Sequence, residues 1–235
     1  MKVVAIVVAR KGSKRIPRKA HQEINGEGLV ARKLRQLSRC PSVGRVILGT
    51  DDEDLRDAAE VHGAVFVLRP PHLCDEVSAT PNDMIQHMVT QPECDGFDTV
   101  LWAQPTNPLV GSEWYEMAIE DFVAVSENWQ SRRDSLASAT MLRGHFWTGR
   151  ECRQSMEQPI NWDPQHDPHM PARALPPIYA QDGAIFIRRR EDFARDGRFV
   201  GARPFLMSIP AEIGWDVNEP WELDVARMLA REEER

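Results

Sequence analysis

A basic surplus is the first thing this sequence lacks. Its 36 acidic residues outnumber 29 basic ones, for a formal charge of −7, whereas a general nucleic-acid binder carries an excess of cations. No apolar run approaches the roughly 18 residues of a membrane span, and Met1-Lys2 leads straight into a strand rather than a secretory leader. Cysteine is sparse and unpatterned. Cys40, Cys74, Cys94 and Cys152 form no CxxC pair, as expected of a reduced cytoplasmic protein rather than a disulfide scaffold. A GxGxxG turn is also missing, since Gly12 stands alone among cations and Pro17, which argues against a dinucleotide-binding oxidoreductase. There is no internal repeat and no low-complexity tract. What remains is a soluble 235-residue chain, long enough for one sizeable core and read as a single domain over 1–235.

The most informative stretch lies near the start. The apolar run Val3 to Ala9 reads as a buried strand and breaks at once into Arg10-Lys11-Gly12-Ser13-Lys14-Arg15, followed by Ile16-Pro17 and Lys19. A strand ending in a short loop with Gly, Ser and clustered cations is how α/β proteins hold a phosphorylated ligand. Glycine admits the phosphates close to the backbone, loop amides point inward, and the cations offset charge. In an acidic chain, these cations read as local equipment for a small anion.

Strand and helix patterns then alternate. Leu29, Leu34 and Leu37 have helical spacing up to Pro41. Val43 to Leu48 is a strand, followed by the turn Thr50-Asp51-Asp52, and Leu55 to Val61 is a helix ended by Gly63. Ala64 to Leu68 and Thr99 to Ala103 read as strands, Thr80 to Val89 as a helix, and Ser112 as the cap of a helix running to about Val123. This order predicts an α/β fold, a mostly parallel sheet flanked by helices on both faces, with ligands beyond the carboxyl ends of the strands. Residues 143–178 are proline-rich and irregular, and read as a lid, binding loop or dimer arm. Gly183 to Arg188 and Pro204 to Ile209 read as late strands, and Glu219 to Glu233 as a terminal helix.

The loop pattern Ala9-Arg10-x-Gly12-Ser13-Lys14-x-Ile16-Pro17-x-Lys19 resembles the signature of the acylneuraminate cytidylyltransferases, the CMP-sialic acid synthetases. Further motifs follow in the family's order: Gly49-Thr50-Asp51-Asp52, Leu68-Arg69-Pro70, Gln104-Pro105-Thr106-x-Pro108-Leu109 and Asp182-Gly183-Ala184-Ile185-Phe186-Ile187. Asp216-Val217-Asn218-x-Pro220-x-Glu222-Leu223-Asp224 takes a form also common among ketodeoxyoctonate cytidylyltransferases. The resemblance spans about residues 3–230 and implies a Rossmann-like nucleotidyltransferase fold. The implied reaction is Mg2+-dependent: an acceptor oxygen attacks the α-phosphorus of CTP, CMP is transferred and pyrophosphate leaves. It also implies a homodimer, with CTP and a small acidic acceptor as the partners rather than nucleic acid or a membrane.

Carried over by position, Arg10, Lys14 and Lys19 are the catalytic, triphosphate-binding cations. Ala9, Gly12 and Ser13 complete the loop, while Arg69, Thr80 and Gln104 fall near the cytosine, ribose or acceptor. Arg69, Thr80 and Gln104 read equally well as a surface cation, a helix cap and a loop hydrogen bond. Lys11, Arg15 and Arg18 match nothing in the motif and are expected to face solvent. Asp216 is the candidate metal ligand, with a helix N-cap as its structural alternative. Asn218 stands where the sialic-acid enzymes usually have a second Asp, and could ligate metal more weakly through its amide oxygen.

Departures concentrate on the acceptor side: Ala20 replaces an Asn, Val110 an Arg and Asp182 an Asn, and an Arg near the Leu-Pro step survives only approximately as Arg173. Gln104, Arg143, His145, Arg173 and Asp182 are the acceptor-binding candidates. The acceptor is expected to be a nonulosonic or related sugar acid; a small phosphonate or a non-catalytic nucleotide-binding role are the alternatives. His166 and His169, with Asp163 and Asp167, sit in a Pro-rich stretch without the usual ligand spacing and read as a polar surface loop.

Overall fold

The computed structural model describes residues 1–235 except 76, 129–131, 150–157, 165–167, 169 and 234–235, and excepting the side chains of 232 and 233. The strands are β1 (Val3–Val8), β2 (Glu23–Ile24), β3 (Glu27–Gly28), β4 (Val43–Thr50), β5 (Val65–Leu68), β6 (Thr99–Ala103), β7 (Ser135–Leu142), β8 (Trp147–Thr148), β9 (Gln158–Pro159), β10 (Ile178–Arg189) and β11 (Pro204–Ile209). The helices are α1 (Leu29–Ser38), α2 (Arg56–Val61), α3 (Pro81–Val89), α4 (Ser112–Glu127), α5 (Arg190–Asp196) and α6 (Pro220–Glu233).

Seven strands form one sheet in the order β11-β7-β10-β6-β1-β4-β5, with β2–β3 and β8–β9 as separate small hairpins. Only β10 runs against the others: it is antiparallel to β6 and β7, while every other neighbouring pair is parallel. This is the mostly parallel, helix-covered sheet expected from the alternating pattern. The β1 run is apolar throughout because both its faces are buried. Val3, Ala5 and Val7 pack with the α1 and α4 side chains Leu34 and Tyr115, and Val4 and Ile6 pack with Ile85 and Met88 of α3 and Phe193 of α5.

A third cluster joins Ile16, Leu29, Leu109, Val217 and Leu223. It bolts the cation-rich loop after β1, the loop after β6 and the segment before α6 to one another. That packing decides which loops share a wall.

The structure departs from the expected elements in four places. β7 does not stand out in the sequence because it is built from small residues: Ser135 and Ser138 are fully buried without lengthening the apolar pattern. β10 begins at Ile178, before the expected Gly183. Its pairing to β7 jumps between Gln181 and Phe186, and Gly183 lies in this irregularity at φ +79°. Gly111 rather than Ser112 occupies the N-cap of α4. α5 follows β10 immediately, its Gly197 cap at φ +63°, where a Cβ would sit 2.5 Å from the Asn82 carbonyl oxygen.

Within the irregular 143–178 region, Asn161 ties the chain together by donating to the Gly144 and Pro176 carbonyls at 2.8 and 2.9 Å. Cys152, His166, Asp167 and His169 lie outside the described residues. Among the described residues, no helix is long and apolar enough to cross a membrane.

Candidate functional site

A cavity of about 640 Å3 opens beyond the carboxyl ends of β1 and β6. Val8 and Ala9 form its floor. One wall carries Arg10, Ser13, Lys14, Arg15 and Lys19; a second carries Arg69, Leu73, Cys74, Thr80 and Met84; a third carries Gln104, Pro105 and Thr106, with Asn218 at its margin. Five cations (Arg10, Lys14, Arg15, Lys19, Arg69) face one carboxylate, Asp75, in a chain whose formal charge is −7. Such a concentration of positive charge in a concavity attracts a polyanion. The volume falls in the ordinary range for small-molecule pockets.

The cationic loop is held from both ends. Ala9 N–H donates to the Gly49 carbonyl at 3.1 Å, and Ile16 is buried in the third cluster. Lys19 is half-buried and donates to the Val217 carbonyl at 2.8 Å. Burial lowers its pKa, the nearby Asp216 carboxylate raises it, and Arg15 and Arg10 lower it further. Burial likewise lowers the pKa of Arg69, whose guanidinium donates to the Ala9 carbonyl at 2.6 Å while its Nε is buried without a partner. Thr80 is a cap as well as a lining residue: its side chain and that of Asp83 form a capping box at the start of α3. Gly12 does not line the cavity, and a Cβ there would meet open space, so no protein atom demands glycine at that position.

Near the tail, Asp216 and Asn218 adjoin. Asn218 Nδ2 donates to Asp216 Oδ2 at 2.5 Å, and the other oxygen, Asp216 Oδ1, is buried without a partner. The N-cap alternative for Asp216 is filled differently, because Glu222 Oε2 accepts the backbone N–H groups of Asn218 and Glu219 at 2.6 and 2.7 Å. A lone buried carboxylate oxygen close to Lys19 fits a hard divalent cation, which takes one or two carboxylates and completes its shell from other oxygens and water. His21, Asp52 and Asp54 also cluster. There, however, His21 already meets Asp52 at 2.8 Å, Lys11 meets Asp52 at 3.5 Å and Arg18 meets Asp54 at 3.2 Å.

The acceptor candidates separate. Gln104 lines the cavity beside the Gly183 bulge. Arg143, His145 and Arg173 do not line it. Arg143 donates to the Arg173 carbonyl at 3.1 Å, and His145 packs edge-on to Trp162. Asp182 turns to the Ser138 hydroxyl and the Ala184 N–H, and burial raises its pKa against those hydrogen bonds.

Three features gave no signal in the sequence. Arg15, expected in solvent, lies on the cavity wall. Asn107 is fully buried and joins three loops, donating to the Asp182 and Gly214 carbonyls at 3.2 and 3.0 Å. Arg32, Lys33 and Gln36 of α1 turn inward to carbonyls of residues 107–110. The Lys33 amine is within hydrogen-bonding distance of Asn107 O (2.9 Å), Val110 O (3.4 Å) and Tyr115 OH (2.6 Å).

Comparison with known proteins agrees with this geometry. Residues 4–143 match the family model described as Cytidylyltransferase. The 3-deoxy-manno-octulosonate cytidylyltransferase of Chlorobium chlorochromatii (strain CaD3) is 30% identical over 122 residues, 52% of this chain and 46% of that relative. The chain thus matches about half of that relative's length. The CMP-N,N'-diacetyllegionaminic acid synthase of Legionella pneumophila subsp. pneumophila is 24% identical over 238 residues, covering 99% of each. A solved structure of CMP:2-keto-3-deoxy-manno-octonic acid synthetase complexed with CTP shares the fold, with a TM-score of 0.68 at 15% identity over 99% of this chain and 100% of that one. With more than half of its residues matched by the family model, this chain belongs to the cytidylyltransferase family.

Proposed function

We propose that this chain transfers CMP from CTP to a small acidic acceptor, a nonulosonic or related sugar acid, with release of pyrophosphate. The observation that carries the reading is the cation-lined cavity at the strand ends, with the buried, unpartnered Asp216 Oδ1 close to Lys19. Arg10, Lys14 and Lys19 bind the triphosphate and stabilise the charge that grows on the leaving pyrophosphate. Phosphoryl-type transfer of this kind is mostly positioning and electrostatic stabilisation. Arg69, Thr80 and Ala9 form the nucleoside side of the cavity, and Gln104 stands where the acceptor meets it. Asp216 would hold the Mg2+, which when bound neutralises phosphate oxygens.

The acceptor side favours one second reading. Arg143, His145 and Arg173 lie off the cavity wall and Asp182 points to Ser138. A compact acceptor such as a phosphonate, needing no distant cations, therefore fits as well as a sugar acid. Both readings take the protein as a cytoplasmic homodimer. Met141 and Tyr179, cross-strand partners on β7 and β10, are both exposed and offer an apolar surface for pairing. The test is pyrophosphate release with CTP and Mg2+ across a panel of sugar acids and phosphonates. Release with one class identifies the acceptor; CTP binding with no release for any acceptor refutes the transferase reading.

A further inference from the structure

Positions 216 and 218 of the tail motif hold one carboxylate and one amide, and the structure shows what faces the amide. Arg15 leaves the cationic loop and reaches the tail. Its Nη2 donates to Asn218 Oδ1 at 3.1 Å and its Nη1 to Glu219 Oε1 at 3.1 Å. Asn218 is consequently held at both ends of its amide. Its amide nitrogen faces a carboxylate, which only accepts, and its oxygen faces a guanidinium, which only donates. Those two partners fix the amide orientation and set the Arg15 positive charge against Asn218 Oδ1, which disfavours a cation at that oxygen. The loop and the tail are locked in this juxtaposition by Ile16 and Val217, which share one buried cluster. Asp216 keeps a single buried oxygen without a partner.

We infer that Arg15 is a substrate-contacting cation standing in place of a second divalent ion, and that Asn218 positions Asp216 rather than ligating metal, so that the site takes one divalent cation per chain. This rests on the CTP-dependent reading of the cavity. Arg15 lines the same cavity as Arg10, Lys14 and Lys19. A planar guanidinium has five donors, and the two hydrogen bonds to the tail leave others for phosphate oxygens. A fixed positive charge in that place offsets leaving-group charge without requiring a second metal.

The probe is Mn2+, counted by the electron paramagnetic resonance signal of the free ion at saturating CTP, with CTP affinity measured in parallel by calorimetry. The wild type is expected to bind one Mn2+ per chain. Arg15→Met should weaken CTP binding about ten- to hundredfold, the effect of deleting a charge-assisted contact. The double variant Arg15→Met, Asn218→Asp should bind two Mn2+ per chain and recover part of the lost CTP affinity. Two Mn2+ in the wild type, or unchanged CTP affinity in Arg15→Met, would overturn the inference while leaving the CTP reading intact. Failure of the wild type to bind CTP at all would remove both. Circular dichroism of each variant separates loss of fold from loss of contact.

Discussion

Replacing Lys33 with methionine tests how the wall of the cavity is built. The amine is fully buried and its neighbours are neutral: two carbonyls and the Tyr115 hydroxyl. Burial, aided by the adjacent Arg32 charge, pushes its pKa well below the usual lysine value. Methionine retains the volume but leaves the Asn107 carbonyl and the Tyr115 hydroxyl without their partner. At about 1–3 kcal/mol for each buried group left unsatisfied, this costs about 2–6 kcal/mol. Against it stands the free energy of stripping a proton from the wild-type lysine on folding. An unfolded lysine titrates near 10.4, so this term is at most about 4 kcal/mol at pH 7.5 and about 1 kcal/mol at pH 9.5.

The sign of the pH effect follows. Between the depressed folded pKa and the unfolded one, the unfolded chain binds more protons, so Lys33 makes the wild type more stable as pH rises. Lys33→Met should therefore be close to neutral at pH 7.5 and clearly destabilising at pH 9.5, the gap widening by up to about 3 kcal/mol. Urea unfolding of both proteins at the two pH values measures the gap directly. Because the burial-raised thiols of Cys40 and Cys94 titrate alike in both proteins, they cancel in the comparison. An equal gap at both pH values would refute a perturbed Lys33.

Three further outcomes are expected. Lys14→Ala should cut turnover about ten- to hundredfold, the value of a lost charge-assisted contact to the triphosphate, with the urea midpoint unchanged; near-normal turnover would remove Lys14 from the phosphate site. Asp216→Asn should raise the Mg2+ needed for half-maximal CTP binding by about tenfold or more, and an unchanged metal titration would place the ligand elsewhere. Asp196 accepts from the buried Arg188, and that hydrogen bond holds its pKa down at about 2. Its stabilisation is present above the unfolded carboxylate pKa near 3.9 and is lost as pH falls toward 2, so Asp196→Asn should cost about 2–3 kcal/mol at pH 7 and progressively less below pH 4. A pH-independent cost, read by thermal unfolding, would count against the ion pair.

The parallel core of the fold is legible because β1, β6 and the second half of β4 are buried and read as short apolar runs, each leading into a loop of unusual chemistry. The cationic wall of the cavity is legible for a related reason: Arg10, Lys14 and Lys19 lie within one short loop, so chain order alone brings them together. β7 hides because its buried positions include Ser135 and Ser138, and small polar residues carry no periodic signal. Lys33 and Gln36 hide because polar residues on an amphipathic helix read as solvent-facing until the loop carbonyls they meet are known. Arg15 hides for want of its partners, which lie about 200 residues away at Asn218 and Glu219. The proposed acceptor side is the least legible. Arg143 and Arg173 meet each other rather than the cavity, through pairing of β7 with β10 that local sequence does not announce.

The central claim is that the loop after β1 binds a nucleoside triphosphate and that Asp216 brings a divalent cation to it. Isothermal titration calorimetry of the purified chain with CTP, with and without Mg2+, tests it most directly. The account predicts saturable binding of CTP that tightens in the presence of Mg2+ and no longer does so in Asp216→Asn. No heat with CTP or any other nucleotide in the presence of Mg2+ would contradict it.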